Sequence, residues 1–300
     1  MELRQLECFL AVAQELHFGR AAEKVGMSQS SVSETIKSLE KIIGGALFDR
    51  TSRRVSLTRL GENLKNGSEP AIIALRAAYM DCKRQAAGKL RQLRIGFLGG
   101  GFYELHSPLV MEFAEQHPDI ELEFVELSYL NQFSAIADGT VDTGFCRLPL
   151  GIDSLQHGPV VMRDQRMLCV PDGHPFTRFS LLNPEYLAEE TLVRITPGSV
   201  TEEWDNFHFP KHTPYGKPIA QGPVVRTIRE AIAAVASRQG LVMLTKRAGN
   251  YYTTPGISFV EIDLPPTPSA LAWRRNDLRP VILDLNAILV RIAKRYGTMP

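Results

Sequence analysis

The chain has 300 residues, 44% of them hydrophobic and 22% charged, which suits a folded protein of two or three domains and excludes a disordered or collagen-like chain. Lys and Arg number 34 against 33 Asp and Glu, but the balance is uneven. Residues 1–90 hold 14 basic and 10 acidic side chains and the remainder 20 and 23, a mildly basic front that points toward a polyanion at the N-terminus.

Leu6, Phe9, Leu10, Ala13 and Leu16 recur at helical spacing and predict an amphipathic first helix, broken at Phe18-Gly19. Ala21, Ala22 and Val25 predict a short second helix that Gly26 ends. Ser28 is a natural N-cap for a third, in which Val32, Ile36, Leu39 and Ile43 mark one buried face and Gly44-Gly45 the stop. Residues 46–58 read as a short hairpin with a basic tip. From Thr58 the helical period returns, with Leu60, Leu64, Ile72, Leu75, Tyr79 and Cys82 near one stripe. Gly67 and Pro70 are expected to kink or divide this helix. A helix of this kind cannot bury its stripe alone, so a second copy of the chain is the expected partner. Gly88 begins a linker.

Residues 91–300 alternate strand and helix. Leu93, Ile95 and Phe97 predict a strand, Gly99-Gly100-Gly101 a turn, and Ser107-Pro108 a helix start. Strands are predicted at 120–125, 141–146, 167–170, 192–195, 241–244, 258–262 and 270–273, and helices at 130–137, 227–237 and 281–295. This rhythm predicts a mostly parallel sheet with helices on both faces, as one sheet or two smaller lobes.

Three short helices followed by a basic hairpin make a winged helix-turn-helix layout. The outer face of the third helix carries Gln29, Ser30, Ser33 and Lys37. These short or flexible donors can reach base edges and phosphates in a major groove; Gln29 can pair bidentately with adenine. Arg50, Arg53 and Arg54 on the hairpin would meet flanking phosphates, which position a protein without reading sequence. The alternative for the helix alone is an ordinary solvated polar face.

Residues 1–65 resemble the N-terminal domain of the LysR-type transcriptional regulators. The matching residues are the run Leu6 to Ala13, then Phe18, Ala21-Ala22, Ser28-Gln29-Ser30-Ser31-Val32-Ser33, Ile36, Leu39-Glu40, Leu47-Phe48-Asp49-Arg50 and Leu57-Thr58-Arg59-Leu60-Gly61. The resemblance implies an α+β multidomain fold: a winged helix-turn-helix (1–58), a long dimerising linker helix (59–88), and a two-lobed α/β effector domain (89–300) resembling type 2 periplasmic binding proteins. Lobe one would comprise 91–162 plus 270–300 and lobe two 163–269. It implies double-stranded DNA, a small-molecule effector, a second copy of the chain (dimer or tetramer) and RNA polymerase as partners. Ser31 joins the DNA-facing set on the same ground.

In such a fold the effector lies beyond the carboxyl ends of strands. The glycines after the first strand, Gly100 and Gly101 among them, would let backbone N–H groups approach a ligand carboxylate, or would simply make a tight turn. By the resemblance, effector contacts fall at Gly100, Phe102, Ser128, Arg147, Thr196, Pro197 and near Arg226. Gly100 stands where the family commonly carries a hydroxyl. Arg147 follows a strand and could pair with an acid, or could be a surface arginine.

Other chemistry is not suggested. Glu104 occupies the last glycine position of a dinucleotide fingerprint, and no P-loop, G-x-S-x-G or H-E-x-x-H occurs. His208 and His212 flank Pro210 in what reads as a loop, not a metal site. Cys8, Cys82, Cys146 and Cys169 form no C-x-x-C pair. With neither a signal peptide nor an apolar run of spanning length, the expectation is a cytoplasmic, non-enzymatic regulator with no cofactor, metal or membrane partner. The competing class is an α/β enzyme or small-molecule binding protein with an accessory helical domain.

Overall fold

The computed structural model describes residues 2–50, 55–86 and 91–299, and the chain forms two units, 1–89 and 90–300. Arg53 and Arg54 lie outside the described residues, as does the side chain of Arg50.

In the first unit, α1 (Leu3–Glu15) buries Phe9 and Val12 completely against α2 (Phe18–Val25) and α3 (Gln29–Ile43). Ala21 and Ala22 are buried where α2 meets its neighbours. The break between α1 and α2 falls at Leu16, not at Phe18-Gly19, which open the second helix. Leu16 adopts a left-handed φ of 45° and is 46% exposed. It leaves the apolar stripe because it is the cap, where its N–H closes the last turn onto Val12. Gly26 and Gly44 end α2 and α3 at φ 66° and 85°, the conformation glycine adopts without a Cβ clash.

Strands β1 (Phe48–Arg50) and β2 (Val55–Leu57) pair antiparallel as the wing. The Glu40 carboxylate accepts from the N–H groups of Leu47 and Phe48 at 2.9 and 3.3 Å, tying α3 to β1. Thr58 donates to the Ala46 carbonyl at 2.7 Å and accepts from the Gly61 N–H at 3.0 Å. A Cβ on Gly61 would lie 2.2 Å from the Leu47 carbonyl oxygen. Part of the pattern at Leu39-Glu40 and Leu57–Gly61 is therefore scaffold that seats the wing on its helices.

Helix α4 (Arg59–Ala86) runs unbroken for 28 residues through Gly67 and Pro70, contrary to the expected division. Proline removes a single N–H, leaving the exposed Asn66 carbonyl to solvent. Ile72 is 5% exposed and packs in the core of this unit, whereas Leu75 and Tyr79 are 52% and 67% exposed.

The second unit opens with β3 (Arg91–Leu98), a 3-10 turn (Tyr103–Leu105), α5 (His106–Gln116) and β4 (Ile120–Leu127). The helix thus begins before Ser107. Next come α6 (Ser134–Ala137), β5 (Thr143–Arg147), β6 (Leu155–His157), β7 (Met162–Asp164) and β8 (Arg166–Pro171). The expected helix over 130–137 shrinks to α6, because Ser128 and Asn131 bond each other in a turn. Then follow β9 (Thr191–Ile195), α7 (Glu202–His208), β10 (Ala220–Val225), α8 (Ile228–Ala236), β11 (Val242–Thr245), α9 (Lys246–Tyr251), β12 (Ile257–Glu261), β13 (Thr267–Arg274) and α10 (Pro280–Arg295).

The strands form two sheets. One runs β4-β3-β5-β13-β6, with β7 also on β13; the other has β11-β8-β12, with β9 and β10 joined to it through a Leu192–Leu241 bridge. Both are mixed, not mostly parallel: β3 pairs parallel with β4 and β5, but β13 runs antiparallel to β5, β6 and β7, and β8 antiparallel to β11 and β12. The returning strand β13 enters the first sheet from the second, without the crossover helix a parallel neighbour requires. The chain passes between sheets at Gln165 and again between Glu261 and Thr267. The two crossings are pinned together: the Gln165 amide donates to the Ile262 carbonyl at 3.2 Å.

At the end of β13, Asp277 accepts from Arg274 Nη2 and Arg279 Nη2, each at 2.7 Å, and Arg279 also reaches Asp142 at 2.9 Å. Burial pushes the Asp277 carboxyl up, but Arg279 and Arg274 outweigh it and hold it below the usual range. A depressed carboxylate contributes stability that is full above its unfolded pKa, about 3.9, and disappears as pH falls through the folded value. Asp277→Asn is expected to cost about 1.5–3 kcal/mol at pH 7. Its deficit against the parent chain should narrow below about pH 4, and urea unfolding at the two pH values checks both.

Candidate functional site

Helix α3 presents the DNA-facing candidates. Its inner face is sealed: Val32, Ile36 and Leu39 are fully buried. On the outer face Gln29, Ser30 and Lys37 are exposed and Ser31 and Ser33 half-buried. Ser28 caps the helix by accepting from the Ser31 N–H at 3.1 Å. Its hydroxyl also meets those of Ser30 and Ser31 at 2.9 and 2.8 Å. Ser31 is thus engaged in the cap, while Gln29 and Lys37 extend from the first and third turns. Glu34 is exposed beside them.

The effector candidates are brought together only in part. Arg147, at the end of β5, lines two small cavities between the lobes. One is shared with Gly101, Tyr103, Asp164, Thr245 and Ser269. The other is shared with Arg166, His208, Thr245 and Thr267. Among the described residues no carboxylate pairs with Arg147; burial works against its charge, and the phenols of Tyr103, Tyr129 and Tyr252 around it tip the balance in its favour.

The remaining candidates lie elsewhere. Phe102 is 1% exposed and stacks on Phe145 at 4.4 Å, inside the core of lobe one. The left-handed Gly101, at φ 62°, precedes this aromatic ring, whose burial is favourable. Ser128 spends its hydroxyl on Asn131 and the Leu130 N–H. Thr196 accepts from Ser199, and Pro197 is exposed. Arg226 points outward to Glu230 at 3.4 Å, while its carbonyl takes the Tyr129 N–H at 2.9 Å and ties the two lobes by backbone.

The glycines have a steric role that differs from the expected open cradle. A Cβ on Gly100 would sit 2.3 Å from the Tyr103 ring, and one on Gly99 2.4 Å from Ile228 and 2.8 Å from the Tyr252 hydroxyl. The protein's own phenols occupy the space where the resemblance suggests a hydroxyl side chain. Tyr103, Asp164, Arg166, His208 and Thr245 are the cavity residues sequence reasoning missed. They come from distant elements, and Arg166 carried no local signal beyond being a cation beside a strand.

His208 sits at the end of α7, not in a loop; its Nε2 lies 3.2 Å from the Leu148 carbonyl. Burial first, then Arg147 and Arg166, push its pKa well below the usual value, so it is neutral at pH 7 and donates through Nε2–H. Among the described residues no cluster of His, Cys, Asp and Glu is arranged for a metal ion, and no helix is long and apolar enough to cross a membrane. Burial pushes the Cys146 and Cys169 thiols up to about 12.

Two family patterns match the chain. Residues 3–62 fit the bacterial regulatory helix-turn-helix protein, lysR family, and residues 86–292 fit the LysR substrate binding domain. The chain is 35% identical over 195 residues to the HTH-type transcriptional regulator AlsR of Bacillus subtilis, covering 65% of this chain and 64% of that protein. It is 29% identical over 311 residues to the HTH-type transcriptional regulator IlvR of Caulobacter vibrioides, covering all of both. Among solved structures it resembles CbnR, a LysR family transcriptional regulator, with a TM-score of 0.59 at 18% identity over 98% of this chain and 99% of that one. That likeness is one of fold.

Proposed function

The chain belongs to the LysR family of DNA-binding transcriptional regulators, and from that premise we propose which of its residues read DNA and sense the effector. Residues 1–58 bind double-stranded DNA, 59–88 join two copies, and 89–300 hold a small-molecule effector between lobes. The observation that carries this reading is the two-faced third helix: a sealed apolar side behind exposed Gln29, Ser30 and Lys37. Gln29 reads a base edge and Ser30, Ser31, Ser33 and Lys37 contact bases or phosphates. Arg50, Arg53 and Arg54 grip the flanking backbone.

On the effector side Arg147 is the principal contact, with Gly100 and Gly101 beside it. The family resemblance adds Phe102, Ser128, Thr196, Pro197 and Arg226 as further effector contacts. Effector binding shifts the angle between lobes, and the linker dimer passes that shift to the spacing of the recognition helices. The protein acts in the cytoplasm as a homodimer or tetramer, in concert with RNA polymerase, and is not an enzyme.

A gel-shift series in rising salt tests the reading. Preference for one operator-like duplex over random DNA is expected, with both weakening as salt rises. Equal affinity for every duplex overturns it and favours an enzyme or binding protein with an accessory helical unit. In the same assay Gln29→Ala is expected to relax discrimination at one base position by about 1–3 kcal/mol. An unchanged sequence profile would argue against base readout.

A further inference from the structure

Arg166 is the first residue of β8, at the crossing between lobes, and is only 5% exposed. Its Nη1 donates to the Phe207 carbonyl at 2.8 Å and its guanidinium lies 3.8 Å over the Phe207 ring. Its Nε is buried with no hydrogen-bond partner. Among the described residues no carboxylate pairs with it. It lines the same cavity as Arg147, which is likewise without an acid, together with His208, Thr245 and Thr267.

Asp164 and Glu104 are both committed to Arg247. Asp164, in the adjoining cavity, accepts from Arg247 Nη1 at 3.3 Å, and Glu104 from Arg247 Nε at 2.8 Å. The Tyr103 hydroxyl, also facing that cavity, is buried without a hydrogen-bond partner. Two guanidiniums without an acid share one cavity, while the Tyr103 hydroxyl faces the adjoining cavity that Arg147 also lines; charges of this kind are costly to bury unpaired. They are well matched to an oxyanion that neutralises them.

We propose that Arg166 and Arg147 form a paired anion-binding subsite at the interlobe crossing, so that the effector carries a carboxylate or phosphate group that docks between them. The proposal rests on the effector reading above and adds the chemical class of the ligand. Burial lowers the Arg166 pKa to about 10, which leaves it charged at neutral pH. His208 is neutral there and contributes its ring without adding a third cation.

Thermal unfolding of the full chain tests this with sodium malonate and sodium phosphate as separate probes and sodium chloride at matched ionic strength as reference. At a probe concentration a hundredfold above Kd, the wild-type midpoint should rise by about 5–10 °C. A rise with malonate alone assigns a carboxylate, and a rise with phosphate alone assigns a phosphate; either supports the subsite. Arg166→Met should abolish the rise, and Arg166→Lys, which keeps the charge but loses the fork, should weaken apparent affinity at least several-fold. Arg178→Met, on an exposed arginine away from the cavity, should behave as wild type.

No rise beyond chloride in the wild type, or an equal rise in Arg166→Met, overturns the proposal. If the methionine variant fails to fold, the lysine variant decides: a response identical to wild type counts against the pair. Gel shifts on the same proteins keep the two readings apart. Retained operator preference with no anion response sinks only the subsite, whereas loss of duplex preference in the wild type sinks the regulator reading.

Discussion

Replacing Leu75 by glutamate is expected to leave the chain folded but monomeric. The surroundings of helix α4 change along its length. Ile72 is buried with the first unit, but Leu75, Tyr79 and Cys82, three, seven and ten residues further on, are exposed along one stripe. An exposed glutamate at 75 costs an isolated chain little. In a seam between two copies it would place a charge in an apolar contact, and by symmetry two of them. Losing the second recognition helix removes the gain from linked binding, so affinity for a two-half-site duplex should fall by about 10²–10⁴-fold. Sedimentation reports the change in mass and gel shift the change in affinity. A dimer that survives Leu75→Glu would place the interface elsewhere.

Trp204→Ala is expected to cost about 3–5 kcal/mol, read as a lowered midpoint in urea. Trp204 is fully buried in α7. Its ring lies 6.1 Å from those of Tyr129, Phe133 and Phe209 and 4.2 Å from that of His208. Its indole N–H donates to the carbonyl of Arg147 at 3.1 Å, so the same side chain fills the core and holds the backbone of Arg147. Trp204→Phe separates the two roles. It keeps most of the apolar volume and should lose about 0.5–1.5 kcal/mol for the hydrogen bond. If alanine and phenylalanine were equally costly, packing would not be what α7 contributes.

The N-terminal unit was largely legible before its structure because its signals are local. Ser28 announces a cap, Gly26 and Gly44 announce stops, and the step from Val32 to Ile36 to Leu39 announces a buried face. Where local chemistry competes with context, the reading failed. Leu16 belongs to the apolar period but serves as a left-handed cap, and Pro70 breaks one hydrogen bond without breaking α4. The prolines around His208 disguised the end of a helix as a loop, because α7 is held by burial of Trp204 more than by any long periodic run.

The amino-acid order alone determined that the chain begins with a helical DNA-reading layout and continues as alternating strands and helices. Period, caps and turns act over a few residues and survive without tertiary contacts. Only the folded structure decided what faces the interlobe space. Arg147 ends β5, Arg166 begins β8, His208 closes α7 and Tyr103 arches over Gly100. Their meeting depends on two sheet crossings and the antiparallel return of β13, and whether a buried charge finds a counter-ion is settled by such distant neighbours.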